Sequence, residues 1–173
     1  MKAAGPNPLI ELPVATPLGR FTASYSTEGL AGLDFPRRAR PPLRPDAQPG
    51  GPAITAEIRR WHRLTEAALN NILAGRAPDE LPPLDWAGRT GFQRAVWRQM
   101  LKLAPGQTRS YGEIAAAIGH PKAVRAVGGA CGANPIPVLV PCHRVLAAHG
   151  RIGGFGSGLD WKRELLAREG ICL

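Results

Sequence analysis

Apolar positions alternate with polar ones over residues 9–35 and shift to helical spacing from Thr55 onward. The alternation predicts three short strands, 9–15, 21–26 and 30–35, separated by the turn sequences Thr16-Pro17-Leu18-Gly19 and Thr27-Glu28-Gly29. Strands joined so tightly form an antiparallel meander. From 36 to 53 Pro, Arg and Gly crowd the chain, a composition that buries little apolar surface and predicts a surface loop. A helix over 55–74 follows, with Thr55 as N-cap, Gly75 just past its end, and Ile58, Trp61, Thr65, Leu69 and Ile72 on one face. It is expected to pack on the meander. His62, alone on this helix, reads as a packing or surface residue.

After an extended piece over 81–86, a second helix is predicted over 90–103, with Phe92, Val96, Met100 and Leu103 inward and Pro105-Gly106 as its stop. Ser110 and Glu113 have capping-box spacing and open a short helix through Ile114, Ala115 and Ile118, closed by Gly119. Pro121 is expected to open a further helix, 122–132, ended by Asn134-Pro135. Two short helices across a three-residue turn make either a helix-turn-helix or an ordinary helical hairpin.

The second of these helices offers no row of Arg, Asn or Gln for reading base edges. Lys122 and Arg125 lie near its start, and Ala126, Gly128, Gly129, Ala130 and Gly132 leave it slim. Such a helix suits close approach to a nucleic-acid backbone, as in a minor groove, or packing inside a core. Residues 136–140 are apolar and read as a buried strand leading to Pro141-Cys142-His143. The fold class expected is α+β. Residues 1–86 form an α/β unit with a small antiparallel sheet, and 87–173 form a mostly helical unit with a helix-turn-helix of winged-helix type.

Charge strengthens the nucleic-acid reading. The net charge is +9; residues 1–89 hold 11 basic and 9 acidic residues, whereas 90–173 hold 11 basic and 4 acidic. A basic half beside a nearly neutral one suits a polyanionic partner, although a solvated basic face has the same composition. No apolar stretch approaches the roughly 20 residues that cross a bilayer, and the N-terminus lacks a signal-peptide core. A soluble, cytoplasmic protein is expected. Cys131, Cys142 and Cys172 form no Cys-x-x-Cys pair, and the four histidines do not fall at zinc spacings with them.

Cys142 is the candidate for chemistry. Burial raises a thiol's pKa, so a working nucleophile there needs a base or a positive charge nearby, and His143 and Arg144 are adjacent. On an extended segment neighbouring side chains point to opposite sides, so Cys142 and His143 would need a turn or a bridging water. Asp160, Glu164 and Glu169 could each orient the imidazole. On these grounds alone a structural cysteine is the better reading, since free cysteine is among the most buried residue types.

Gly91-Phe92-Gln93, Val96-Trp97, Ser110-Tyr111, Arg125-Ala126-Val127, Asn134-Pro135, Pro141-Cys142-His143-Arg144-Val145, Gly153-Gly154-Phe155, Lys162, Leu165-Leu166 and Glu169-Gly170, in this order, resemble the O6-alkylguanine-DNA alkyltransferases, the methylated-DNA–protein-cysteine methyltransferase family. The resemblance covers about half the chain continuously and extends loosely to the first domain. It implies that Cys142 accepts an alkyl group, irreversibly and once, from O6-alkylguanine, with O4-methylthymine a further candidate substrate. It implies also that His143 activates the thiol through water and that Glu169 orients His143. Asn134 would hold the turn before the cysteine. Tyr111 would assist rotation of the nucleotide and bond the base, and Arg125 would fill the space of the flipped nucleotide. Lys122, Ala126 and Gly128 would lie against double-stranded DNA, from the minor groove and with little sequence preference. The pocket would be walled by Val145, Phe155, Gly156 and Ser157, with the carbonyls of Cys142 and Val145 accepting from the exocyclic amine.

The same resemblance implies a monomer that needs no cofactor. The glycines from 150 to 158 do not match Gly-x-Gly-x-x-Gly, and they read as a pocket wall. Three departures stand out. Residues 1–89 contain no cysteine, so no metal is expected where some members bind zinc; Phe155 replaces a frequent tyrosine; and Cys131-Gly132 stand where some members are bulky or basic. The alternatives are a related protein that binds damage without chemistry, disfavoured by the presence of Cys142, and a Cys-His hydrolase or a transcription factor.

Overall fold

The computed structural model describes residues 9–36 and 53–173; the predicted surface loop lies almost wholly outside them. Strands β1 (Ile10–Thr16), β2 (Gly19–Tyr25) and β3 (Leu30–Asp34) form an antiparallel sheet in sequence order. The register pairs Leu12 with Ala23 and Val14 with Phe21, so the period-2 pattern places these buried residues on one face. Helix α1 (Ala56–Leu73) covers part of that face. Thr55 caps it by accepting from the Ile58 amide, and the Tyr25 hydroxyl donates to Thr65 at 2.9 Å. His62 packs beside the same hydroxyl, with Nδ1 at 3.2 Å. The extended piece before α2 joins the edge of the sheet, where the Leu30 amide donates to Pro83 and the Asp85 amide to Leu30.

Helix α2 (Gly91–Met100) opens with a full capping box from Thr90 and Gln93. It ends three residues earlier than the apolar pattern predicts. Leu103 is buried from the turn that follows; Val96 and Met100 are fully buried as predicted, Trp97 joins them, and Phe92 is only half-buried. Trp97 Nε1 donates to the Ala130 carbonyl at 2.8 Å, joining α2 to the helix that carries Ala130.

Strand β4 (Arg109–Ser110) leads directly into α3 (Tyr111–Ala117), whose capping box is the predicted one. Helix α4 (Val124–Gly132) starts two residues later than expected. Pro121 and Lys122 occupy a turn closed by the Ala123 amide on the His120 carbonyl, a position Pro favours as much as a helix start. Residues 118–123 thus separate α3 from α4, in place of a three-residue turn. Helices α3 and α4 pack on each other and on α2.

The chain then departs from the predicted strand. Ile136, Val138, Leu139 and Val140 are buried as expected, but the segment folds into a turn: Val138 has φ +73°, which no strand accommodates. A short 3₁₀ turn, Cys142–Arg144, precedes β5 (Val145–Leu146), which pairs in parallel with β4. Helix α5 (Leu159–Arg168) closes the fold. Its end is tied to the first helix, because Arg168 Nη1 donates to the Leu73 carbonyl at 3.0 Å. Gly75, at φ +72°, lies so close that a Cβ there would stand 2.3 Å from the Arg168 carbonyl oxygen. The Leu33 amide donates to Pro135, and one continuous core runs from the sheet to α5.

Candidate functional site

Asn134 builds the approach to Cys142. Its Nδ2 donates to the Val140 carbonyl at 2.8 Å, and its Oδ1 accepts from the Ile136 amide at 3.1 Å. One side chain thus satisfies backbone groups that a strand would have paired, which is why an apolar run folds here as a turn. Val138, β-branched and left-handed inside it, is a strained position.

The 3₁₀ turn supplies the bend that an extended Cys-His pair lacks. Cys142 is buried and borders a pocket of about 130 Å³. Tyr111 lines it from α3, Gly128, Cys131 and Gly132 from α4, and Gly154, Phe155 and Gly156 from the glycine-rich segment. Val145 is fully buried but outside this lining, and Ser157 is exposed. Gly153 has φ +67°, and a Cβ on it would meet the Tyr111 hydroxyl at 3.0 Å. A glycine there lets the phenol sit against the backbone.

Behind the thiol lies a closed charge network. His143 Nε2 is 2.9 Å from Glu169 Oε1. Arg144 donates to the same carboxylate through Nε and Nη2, at 2.8–3.0 Å, and also bonds the Leu103 carbonyl. The Gly106 amide adds a bond to Glu169 Oε2 at 3.2 Å. Burial alone would raise the Glu169 pKa; hydrogen bonds from His143 and Arg144 outweigh it and hold the carboxyl down at about 2. An ionised Glu169 only accepts, so His143 carries its proton on Nε2. Burial lowers the His143 pKa against the pull of Glu169, which keeps the ring neutral. Its Nδ1 is buried with no hydrogen-bond partner among the described residues, an available lone pair. Asp160 and Glu164 instead pair with Arg163 and Arg168 on the surface of α5.

Lys162 is fully buried, and its Nζ donates to the Val145 carbonyl at 2.7 Å and to Gly154 at 3.1 Å. It therefore ties the acceptor turn to the pocket wall, and the Val145 carbonyl already has one donor. Burial pushes the Cys142 thiol up, opposed by the Asn134 amide and the Lys162 charge. Cys131, which also donates to Met100 Sδ, is pushed up by burial to about 12. Burial likewise raises Tyr111, which stays a protonated donor.

Arg144, named for its charge beside the thiol, instead holds Glu169, and Lys162 has a role that the residue pattern did not assign, although a signal existed. Positions 162, 165 and 166 lie on one face of α5, with 169 in the same register just past its end, and two of them are buried leucines. A charged residue in such a register must find buried partners.

The expected partner-facing residues lie on the other side of the pocket. Lys122, Val124, Arg125 and Ala126 are exposed around the start of α4. An added Cβ at Gly128, Gly129 or Gly132 would meet nothing within 4 Å. Internal packing therefore does not require these glycines, and each weakens the helix by about 1 kcal/mol relative to Ala. Packing within the core thus gives no reason for a slim helix at these three positions, two of which, Gly128 and Gly132, border the pocket.

Comparison with known proteins agrees with this arrangement. Residues 91–171 match the model of the 6-O-methylguanine DNA methyltransferase DNA-binding domain. The methylated-DNA–protein-cysteine methyltransferase of Methanosarcina acetivorans is 38% identical over 157 residues, 91% of this chain and 96% of the relative. That of Mycobacterium tuberculosis is 38% identical over 156 residues, 90% of this chain and 89% of the relative. The crystal structure of the O6-methylguanine methyltransferase of M. tuberculosis superposes with a TM-score of 0.71 at 37% identity, covering 93% of this chain and 92% of that one. A structure from the same organism in complex with DNA has a TM-score of 0.69 at 37% identity, covering 91% and 90%. With the fold, the cysteine turn and this similarity along nearly its whole length, the chain belongs to the methylated-DNA–protein-cysteine methyltransferase family.

Proposed function

We propose that this protein repairs O6-alkylguanine in double-stranded DNA by moving the alkyl group once, irreversibly, onto Cys142. The observation that carries the reading is the unpartnered Nδ1 of a neutral His143, whose other nitrogen is committed to Glu169. Nδ1 takes the thiol proton through one bridging water, and the resulting imidazolium is stabilised by the ionised Glu169. The thiolate attacks the alkyl carbon; the S–C bond forms as the C–O6 bond breaks, and the electron pair passes to the guanine. Tyr111 donates a hydrogen bond or proton to the departing base. The product is a thioether with no leaving group for reversal, so one molecule acts once.

A base inside the stack is out of reach of a buried thiol, so the nucleotide is flipped out. Arg125 fills its space, while the slim start of α4 and Lys122 follow the backbone from the minor groove. Helices α3 and α4 serve as a helix-turn-helix of winged-helix type within a DNA-binding and acceptor unit, 87–173, supported by an N-terminal unit, 1–86. The protein works as a monomer in the cytoplasm. Phe155 and Gly156 hold the flipped base, with Ser157 and Val145 at its margin.

Mixing the protein with duplex DNA containing O6-methylguanine should add one methyl group, on Cys142, read by intact mass and peptide mapping. Tight binding of the lesion with no mass change would overturn the reading in favour of damage recognition without chemistry.

A further inference from the structure

Four aromatic rings drawn from both halves of the chain end at the pocket wall. Phe35, just past β3, packs on Phe21 of β2 with centroids 5.2 Å apart and on Trp161 of α5 at 4.7 Å. Trp161 also meets Phe21, edge-on, at 5.9 Å. Phe155 joins the cluster through Phe35 alone among these rings, at 5.9 Å and 84°, an edge-to-face contact. Phe155 is the member that also lines the pocket beside Cys142.

The segment carrying Phe155 has few means of holding itself in place. Its neighbours Gly153, Gly154, Gly156, Ser157 and Gly158 provide almost no side chain to pack. Besides the Gly154 amide on the Tyr111 hydroxyl, two anchors stand on the pocket side among the described residues: the Lys162 bond to the Gly154 carbonyl, and the Phe155 ring against Phe35. The first fixes backbone, and the second fixes how far the ring stands from the pocket. Phe35 is itself held from two sides, by the sheet and by α5, so it is a firm support rather than a second loose ring.

We propose that Phe35, remote from the reacting atoms, is a specificity-determining positioning residue that sets the size of alkyl group accepted by bracing Phe155. The inference rests on the alkyl-transfer reading. A methyl group leaves the wall where it stands. A benzyl group needs the wall to withdraw, and withdrawal breaks the Phe35–Phe155 contact. Removing the brace therefore takes a cost out of benzyl transfer that methyl transfer never carried.

The test is single-turnover transfer from duplexes containing O6-methylguanine or O6-benzylguanine, by the wild type, Phe35→Ala, Phe35→Leu and Leu69→Ala. Leu69 is fully buried in α1 and is not one of the four rings, so its truncation lowers stability while every ring of the cluster stays in place. The benzyl-to-methyl rate ratio should rise about three- to ten-fold in Phe35→Ala, rise less in Phe35→Leu, and stay at the wild-type value in Leu69→Ala. Phe35→Leu keeps apolar bulk and secures the measurement should Phe35→Ala fold poorly. An unchanged ratio in both Phe35 variants, or an equal rise in Leu69→Ala, would overturn the proposal. A wild type that transfers neither group would overturn the alkyl-transfer reading instead.

Discussion

The two sides of the pocket are built on opposite principles. On the acceptor side His143, Arg144, Lys162 and Glu169 are buried charged or polar groups tied to each other and to backbone carbonyls. On the facing side α4 and the glycine-rich segment present small residues, with backbone exposed and few side-chain bonds. Buried charges fully paired are rigid, because breaking any pair strands its partner in a poor solvent. Small residues on an exposed helix impose nothing and leave room for another molecule. Chemistry is thus held still on one side, and contact is left open on the other.

The sharpest way to break the comparison is at the thiol. Cys142→Ser should abolish alkyl transfer altogether while leaving lesion binding near wild type, measured by mass and by fluorescence anisotropy; loss of binding as well would mean that the two sides are not separable. Next in size is Arg144→Met, which leaves Glu169 with fewer donors in a buried site. It should cost about 3–5 kcal/mol in urea unfolding. A change below about 1 kcal/mol would show that the network is not a rigid unit.

Acid provides a test without mutation. Glu169 and His143 both have folded pKa values below their unfolded ones. Their contribution to stability is therefore present above the unfolded values and is lost as pH falls. Stability should begin to drop as pH falls through the ordinary histidine range, then fall further between about 4.5 and about 2 as Glu169 protonates. Glu169→Gln should flatten the lower part of that curve, and a curve of unchanged shape would remove Glu169 from the account. The smallest effect belongs to the open side. Gly129→Ala should stabilise the fold by up to about 1 kcal/mol while weakening DNA binding, two opposite signs from one methyl group. Equal signs would contradict an outward role for the α4 glycines.

The same contrast explains how much was legible in the chain. Local devices were plain: Thr55 and Ser110 cap the helices that follow them, and alternation placed Leu12, Val14, Phe21 and Ala23 on one face of the meander, whereas the Thr90 cap went unread. Thr90 and the capping glutamine show how a cap fixes a start, whereas α2 ended early because Leu103 is apolar for packing and not for helical periodicity. Residues 136–140 misled for a related reason. An apolar run reports burial, and burial is the same for a strand as for a turn held by Asn134. The segment of α3 and α4 was legible as two helices, but Pro121 fits both a turn and a helix start, so α4 begins later than its residues suggested. At the site, spacing left Asp160, Glu164 and Glu169 equal, and family resemblance selected Glu169. The geometry brings Glu169, at the end of α5, to His143, while the other two carboxylates face surface arginines. Lys162 was harder, since a lysine is ordinarily a surface residue and its two carbonyl partners are distant in sequence.

Gly75 carries a consequence for mutational tolerance. It touches no reactant and lies in the first half of the chain, yet it abuts the carbonyl of Arg168, the residue before Glu169. Any side chain there must push the end of α5 away, and the carboxylate that orients His143 moves with it. In a screen that scores repair across all substitutions, this position should behave like one of the catalytic residues, and helix-favouring alanine should be rejected there as firmly as a bulky residue.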